Sequence, residues 1–197
     1  QPIVSLEVMK QNAARNAGHP LIESRLPHQR KLAVCGGAPS LVGHLEELKS
    51  WDGEIWAINW TAEFLRSHGI ESTLFTVDPQ SFTIRARDAL LASACDPMLF
   101  DQFAARAQMF HMLETHETGH PGSITSALRA PAIAFYLGYL NVSFFGCDSS
   151  FTDVSHVDRN ESEAHQLILR AGGADYRTTP GLMVQSQQLA QLISTCN

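Results

Sequence analysis

The stretch LAVCGGAPSL, residues 32–41, has the pattern of a buried strand that ends in glycines and leads into a helix. Its four leading apolar residues predict the strand, and the polar and small residues that follow are Gly36, Gly37, Pro39 and Ser40. Glycines let a backbone approach an anion closely, and the first amide groups of a helix point toward that anion. We therefore expect a phosphate-binding turn here. The alternative is a tight turn with an ordinary helix cap.

A second turn of the same type is GHPGSIT, residues 119–125. We expect Gly122, Ser123 and Thr125 to face the same cleft as the first turn, with Ser123 capping the helix and Thr125 donating its hydroxyl. Two such turns in one small domain favour a ligand that carries phosphate groups.

Strand and helix patterns alternate through the rest of the chain, which predicts parallel strand pairing and right-handed crossovers. The fold class that follows is α/β, a Rossmann-like three-layer sandwich with a mostly parallel sheet. We expect residues 1–30 to form an N-terminal helical arm outside the sheet, and residues 31–197 to form the Rossmann-like domain. The predicted strands are 32–35, 54–59, 72–77, 98–100, 108–111, 141–145 and 175–177. The predicted helices are 3–17, 41–51, 62–67, 82–92, 101–106, 123–137, 163–171 and 182–194.

Composition and charge exclude several classes of protein. The 197 residues are 44% hydrophobic and 17% charged, which suits one domain with a sizeable core. A formal charge of −6 argues against a nucleic-acid partner, which would require a basic stripe. No apolar run is long enough to span a membrane, and the four cysteines form no close pair. We expect reduced thiols and a cytoplasmic location.

Polar residues follow several predicted strands. In α/β sheets ligands bind outside the carboxyl ends of the strands, where the strand order reverses. Asn59, Asp78 and Asp148 come directly after such strands, and His156 lies on the loop beyond Asp148. We expect Asn59 to contact the ligand, Asp78 and Asp148 to share Mg²⁺ from neighbouring strand ends, and Asp148 and His156 to act in catalysis. The alternatives are that Asn59 and Asp78 only form turns, that Asp148 is a loop residue that caps its own turn, and that His156 is an ordinary loop residue.

The glycine spacing excludes two common nucleotide sites. Gly36, Gly37 and Gly43 do not form the G-x-G-x-x-G fingerprint of dinucleotide-binding domains, and no Gly-Lys-Ser/Thr end of a P-loop is present. Ordinary NAD(P) and P-loop chemistry are therefore disfavoured.

Three motifs in order resemble the MptE-like 6-hydroxymethylpterin diphosphokinase family, from about Lys31 to Asp158. Residues 33–41 (AVCGGAPSL) resemble its G-x-G-P-S-L opening. Residues 120–127 (HPGSITSA) with 134–139 (AFYLGY) resemble its G-G-S-V-x-x-x-A…A-x-x-L-G segment, and residues 145–151 (FGCDSSF) with His156 resemble its x-G-x-D-x-S/A-F…H segment. The chain departs from the pattern at Ala38, where many members have Gly, and at 120–121, where His-Pro replaces part of a Gly pair.

The resemblance implies a Rossmann-like domain that binds a nucleotide. Characterised members transfer diphosphate from ATP to a hydroxymethylated pterin with Mg²⁺, and more distant relatives include motility-associated glycosyltransferases and bacterial sialyltransferases. We therefore expect a transferase that binds a nucleotide or another diphosphate ligand. The alternatives are a nucleotide-sugar glycosyltransferase in glycan biosynthesis and a non-catalytic nucleotide-binding module.

Overall fold

The structure is a computed structural model that describes residues 4–112, 125–150, 157, 166–171 and 173–196. Among these residues the chain forms a six-stranded sheet and a separate two-stranded sheet, with helices between the strands. The strands are β1 (His28–Cys35), β2 (Glu54–Ile58), β3 (Thr73–Thr76), β4 (Asp88–Ala92), β5 (Ala107–Phe110), β6 (Tyr139–Phe145), β7 (Leu167–Ala171) and β8 (Ala174–Thr178). The helices are α1 (Leu6–Asn16), α2 (Leu45–Lys49), α3 (Thr61–Ser67), α4 (Pro97–Phe103), α5 (Ser126–Tyr136) and α6 (Pro180–Cys196), with short 3-10 helices at Pro39–His44 and Ala104–Arg106.

The large sheet is entirely parallel, in the order β5-β4-β3-β2-β1-β6. The chain adds strands in one direction from β1 to β5 and then returns to place β6 on the other side of β1. Right-handed crossovers therefore put α2, α3 and α4 on one face and α5 on the other. This is the predicted α/β three-layer arrangement.

The core is built from the strands at the centre of this sheet. All of β3 and the last four residues of β1 are buried, as expected for parallel strands covered on both faces. Trp56 and Phe75 are stacked at 5.5 Å between ring centroids, and Phe75 stacks on Phe110 at 5.1 Å. These rings connect β2, β3 and β5 within one apolar cluster.

The N-terminal arm is joined to the sheet. Helix α1 was predicted and is present, and its buried Asn16 donates to the carbonyls of Ser93 and Cys95, both at 2.8 Å. The expectation that residues 1–30 stay outside the sheet is wrong, because His28 begins β1 and Leu21 forms a parallel bridge with Met109 of β5.

Four predicted elements have a different conformation. Residues 41–51 form the end of a 3-10 helix and the short α2 instead of one helix. Residues 82–92 were predicted as a helix, but 88–92 form β4, a short buried run whose helical spacing was misleading. Residues 98–100 belong to α4, which Asp96 caps by accepting from the Met98 amide at 2.8 Å. The helix predicted over 163–171 is replaced at 167–171 by β7, which pairs with β8 as an antiparallel hairpin. Residue 166 is in neither a helix nor a strand, and residues 163–165 lie outside the described residues.

The described helices contain no segment long and apolar enough to cross a bilayer.

Candidate functional site

A cleft of about 220 Å³ opens at the carboxyl edge of the large sheet, and we call it the switch-point cleft. Its lining comes from the ends of β1, β2 and β6, the start of α5 and one side of α6, and it includes Gly36, Gly37, Asn59, Thr125, Ala127 and Gln185. The strand order reverses between β1 and β6, and open α/β sheets bind ligands at that position. The cleft therefore lies where the fold favours a ligand.

The first glycine turn lines this cleft, but two of its amides are already bonded. The Gly36 N–H donates to the Phe145 carbonyl at 2.8 Å, and the Ala38 N–H donates to the Gly146 carbonyl at 2.9 Å. Both bonds extend the β1–β6 pairing past the strand ends. These two amides are therefore engaged with protein carbonyls and are not available to an anion.

Gly36 is required by a close backbone approach. A Cβ on Gly36 would lie 2.4 Å from the Gly146 carbonyl oxygen and 2.9 Å from the Cys147 sulfur. Gly146 is in the left-handed region at φ +60°, and a Cβ there would lie 2.5 Å from the Gly36 oxygen. The two glycines let the loops after β1 and β6 pack against each other, which is a structural reason for both.

The other predicted residues of this turn have separate positions. Gly37 is half-buried and lines the cleft, and its carbonyl accepts from the Val157 amide at 3.0 Å. Pro39 begins the 3-10 helix, where its missing N–H costs nothing. Ser40 is exposed outside the cleft lining, and its hydroxyl donates to Asp148 Oδ1 at 2.6 Å.

Helix α5 begins at the mouth of the cleft. Thr125 is its N-cap, since the Thr125 hydroxyl accepts from the Leu128 amide at 3.4 Å. The predicted cap was Ser123, which lies with Gly122 outside the described residues, so the two-turn expectation is tested only at Thr125. Thr125 and Gly37 do line one cleft.

The Ser126 hydroxyl joins the start of α5 to two strand ends. It accepts from the Val77 amide after β3 at 3.1 Å and donates to Asn59 Oδ1 after β2 at 3.4 Å. Asn59 itself is in the left-handed region at φ 51°, which Asn tolerates better than most residues. Asn59 lines the cleft, and it also has a structural role of the kind that was the alternative, so its contact with a ligand stays a prediction.

The first turn of α5 leaves two backbone amides without an acceptor inside the helix. Helix geometry gives the Ser126 and Ala127 N–H groups no acceptor within the helix, and both residues line the cleft. The helix dipole adds about half a positive charge at this end. This terminus is therefore a favourable position for an anion.

The two predicted metal-binding carboxylates do not lie at neighbouring strand ends. Asp78 follows β3 and Asp148 follows β6, with β2 and β1 between them. Three strand spacings correspond to about 14 Å, too far for two carboxylates to bind one Mg²⁺ directly. Asp78 Oδ1 accepts from the Gln80 amide at 3.0 Å, which matches the turn-forming alternative.

Asp148 lines a second cleft of about 330 Å³, which we call the Asp148 cleft. Tyr176, Met183 and Ser186 line its other sides, and Ser149 and Ser150 separate it from the switch-point cleft. The Ser149 carbonyl accepts from the Thr178 hydroxyl at 2.8 Å, and Ser149 Oγ accepts from Gln185 Nε2 at 3.3 Å. The loop after β6 is thus attached to both β8 and α6.

Cys147 lines the switch-point cleft and is unsuited to nucleophilic attack. Burial raises the pKa of its thiol to about 12, and burial likewise raises the pKa of Cys35 far above its usual range. Both are free thiols, as is the buried Cys95. At neutral pH the Cys147 thiol is therefore protonated, and it contributes an uncharged side chain to the cleft wall.

A cavity of about 300 Å³ at the opposite, amino edge of the sheet has a different character. Arg87 donates to Asp88 Oδ2 at 2.6 Å and to Thr73 Oγ1 at 3.1 Å, and Arg106 donates to the Arg87 carbonyl at 2.6 Å. These arginines are engaged with protein groups, so the cavity is not the preferred site for a ligand.

Several residues that line the switch-point cleft were not predicted from the sequence. Ser126 is hidden inside an ordinary helical pattern, and Gln185 belongs to α6, which no motif connects to the cleft. Ser149 and Ser150 directly follow Asp148, so the signal that selected Asp148 was available for them. His156, the predicted proton-transfer residue, lies outside the described residues.

Comparisons with family models, curated proteins and solved structures find no match to this chain. The resemblance to the MptE-like family therefore stays a prediction. Among the described residues no group of three or more His, Cys, Asp or Glu side chains forms a ready-made metal site.

Proposed function

We propose that this chain binds a small molecule carrying a phosphate or diphosphate group, such as a nucleotide or a nucleotide sugar, in the switch-point cleft. The observation that carries the proposal is the start of α5, whose first two amides have no acceptor within the helix and whose first residues line a cleft at the reversal point of a parallel sheet. Helix N-termini at such positions bind phosphate groups in many α/β proteins.

The charge of the cleft supports an anionic ligand. The described residues that line it are all neutral, so none of these side chains repels a phosphate. The attraction comes from the Ser126 and Ala127 amides and the dipole behind them, which explains how a chain of net charge −6 can bind an anion locally.

The sizes of the two clefts support a ligand in two parts. The switch-point cleft, at about 220 Å³, suits a diphosphate, and the adjoining Asp148 cleft, at about 330 Å³, accommodates the group to be transferred or its acceptor. Ser149 and Ser150 contribute to both clefts, so groups in the two would lie next to each other.

Asp148 is suited to be one protein ligand of Mg²⁺. Its Oδ1 accepts from Ser40, which leaves Oδ2 for a cation. Mg²⁺ commonly takes one or two carboxylates together with phosphate oxygens and water, so a single carboxylate beside a diphosphate is sufficient. Asp78 is too distant to complete the same site.

The paired clefts favour a transferase over a simple binding module. In diphosphate transfer from ATP, the hydroxyl oxygen of the acceptor bonds to the β-phosphorus, AMP leaves, and the hydroxyl proton passes to water, while the Asp148 carboxylate would hold Mg²⁺ beside the phosphates. Such reactions depend mainly on positioning and electrostatics. A nucleotide-sugar glycosyltransferase would use the same clefts, with the sugar beside Asp148, and a binding module would form no product.

A pair of matched variants tests ligand binding. Ala127→Asp places a carboxylate in the first turn of α5, where it stabilises the helix by about 0.3–1 kcal/mol but repels a bound phosphate. Ala127→Lys has the opposite charge. We expect calorimetric titration with ADP and with inorganic diphosphate to show at least about tenfold weaker binding in the Asp variant and no loss in the Lys variant. Equal affinity of Ala127→Asp and the original chain would refute the proposal.

Turnover distinguishes the three functions. The chain is incubated with Mg²⁺ and ATP plus a hydroxymethylpterin, or with nucleoside-diphosphate sugars plus a glycan acceptor, and the released AMP or nucleoside diphosphate is measured. AMP release that requires the pterin supports diphosphate transfer, and release from a sugar nucleotide supports glycosyl transfer. Binding without either product supports the non-catalytic module.

A further inference from the structure

The two edge strands of the large sheet differ in whether another segment of the chain bonds to them. At the β5 edge the arm covers the strand, since Ile22 donates to the Met109 carbonyl at 2.9 Å and Met109 donates to the Pro20 carbonyl at 2.8 Å. At the other edge, β6 pairs only with β1 among the described residues. Strand β6, YLNVSFF, has no charged residue and no proline, the features with which native edge strands usually prevent pairing.

The free backbone groups of β6 belong to alternate residues. The Phe145 carbonyl accepts from Gly36 on the β1 side, and the N–H and C=O of one residue in a parallel strand point to the same side. Asn141, Ser143 and Phe145 therefore face β1. Leu140, Val142 and Phe144 direct their N–H and C=O groups outward.

The same three residues have apolar side chains on one face. They line a groove of about 160 Å³ together with Pro131 and Phe135 of α5 and Leu192 and Ile193 of α6. Phe135 is 65% exposed, Leu140 50% and Ile193 40%, which is unusual for large apolar side chains that lie together.

We propose that β6 pairs with β6 of a second copy of this chain, antiparallel about a two-fold axis at Val142. In this register Val142 faces Val142 of the partner subunit, and Leu140 faces Phe144 of the partner subunit. Each facing pair exchanges both N–H···O=C bonds, because all three residues direct these groups outward.

The strand is self-complementary only in this register. Moving the axis by half a residue spacing sets outward-facing residues opposite residues that are bonded to β1, and moving it by one residue leaves Leu140 or Phe144 without an apolar partner. The neutral sequence of β6 lets two copies approach without like charges at the seam, despite a net charge of −6 on each chain. A charged peptide would not place an apolar residue opposite each of Leu140, Val142 and Phe144.

Contacts between the helices of the two copies add buried interface area that a pair of β6 strands alone does not provide. A stable interface buries roughly 1,200–2,000 Å² in total, and two short strands alone cover less. A two-fold axis perpendicular to the sheet keeps α5 and α6 of both copies on the same face, so Phe135 and Ile193 of each copy close the groove against the other. The proposal does not depend on the ligand.

The experiment measures molar mass by light scattering after size exclusion, over a range of concentrations. We expect a dimer of the unaltered chain and a monomer of Leu140→Lys, whose exposed position lets the fold survive. Ile168→Lys, at a 72% exposed apolar position on β7, is the matched control and is expected to remain dimeric. A monomeric unaltered chain, a dimeric Leu140→Lys or a monomeric Ile168→Lys each overturns the proposal.

The register has a separate test. Leu140→Lys and Phe144→Glu are each expected to be monomeric alone, with circular dichroism confirming that both are folded. Mixed together they should form a heterodimer, because the introduced lysine of one variant then faces the introduced glutamate of the other across the axis, while the second facing pair stays native. If the mixture remains monomeric, the Val142-centred register is overturned; if Phe144→Glu is unfolded, Val142→Lys against Val142→Glu tests the same axis.

Discussion

The glycine-rich turn after β1 and the start of α5, which follows the second glycine-rich stretch of the sequence, differ in how their backbone amides are used. The turn after β1 gives two of its amides to β6, and Gly36 is needed for backbone packing against Gly146. The start of α5 leaves its first two amides without an acceptor inside the helix, and the Ser126 hydroxyl attaches this helix start to the end of β3. The first turn therefore mainly builds the wall of the cleft, whereas the start of α5 retains the backbone amides on which the proposed anion site depends.

The comparison shows that a glycine motif by itself does not identify an anion site. A glycine permits close approach of any backbone, whether the approaching group is a phosphate or another loop. Which of the two occupies the position depends on the partner that the fold places opposite the turn. Four variants test this distinction, in order of decreasing expected effect on stability.

Gly36→Ala should have the largest effect. Its Cβ would lie 2.4 Å from the Gly146 oxygen, so one loop must move, and we expect a loss of about 3 kcal/mol in the free energy of unfolding. Urea denaturation without ligand measures it. Gly43→Ala is the control, since a Cβ there meets nothing within 4 Å and should be neutral or stabilising. If Gly36→Ala is as stable as Gly43→Ala, the first turn does not depend on close packing of Gly36 against Gly146.

Ser126→Ala should weaken the attachment of α5 to the strand ends. It leaves the Val77 amide without its hydroxyl acceptor and removes the donor to Asn59, and we expect a loss of about 2 kcal/mol. Denaturation measures the loss, and titration with ADP should show weaker binding because the helix start is less well positioned. A loss below about 0.5 kcal/mol would mean that this hydroxyl does not position the helix.

Thr125→Ala removes only the cap. We expect about 1 kcal/mol of destabilisation, because the Leu128 amide loses its side-chain acceptor. Thr125→Ser keeps the hydroxyl and should restore most of this stability in thermal denaturation. Equal melting temperatures for the Ala and Ser variants would contradict the capping role.

Asp148→Asn should change binding more than stability. The side chain is exposed, so we expect a change of about 0.5 kcal/mol or less in the free energy of unfolding. The gain in ADP affinity on adding Mg²⁺ should disappear, while metal-free binding should improve because a negative charge near the phosphates is lost. Calorimetry with and without Mg²⁺ measures both effects.

Asp78→Asn is the matched control for Asp148→Asn. Its Oδ1 accepts from the Gln80 amide, and Asn keeps an equivalent oxygen, so the Mg²⁺ effect should be unchanged. An unaltered Mg²⁺ effect in Asp148→Asn, or its loss in Asp78→Asn, would contradict the assignment of the cation to Asp148.

Sequence reasoning predicted the long and strongly patterned elements best. Helices α1 and α5 and strands β1, β2 and β6 have clear apolar periods bounded by capping residues or glycine, so local chemistry identifies them. It misassigned 88–92 and 167–171, because short apolar runs fit a helix face and a strand equally well. Only pairing with a neighbouring strand decides between the two for such a segment.

For the site, the sequence identified Gly37, Asn59 and Thr125, which line one cleft, because strand ends and helix starts leave local signals. It could not show that Asp78 and Asp148 are separated, since strand order is a property of the sheet and not of the segments. The contributions of Ser149 and Gln185 were hidden for the same reason, because α6 is brought to the cleft from a distant part of the chain.

The sequence by itself determined that this chain is an α/β protein with glycine turns at a strand end and before a helix, because periodicity, capping and backbone freedom act over a few residues. The tertiary structure decided which amides remain available to a ligand. Strand β6 returns beside β1 and bonds the first turn, and the Ser126 hydroxyl holds the start of α5 against the ends of β2 and β3. Those partners come from distant parts of the chain, so only the folded arrangement defines them.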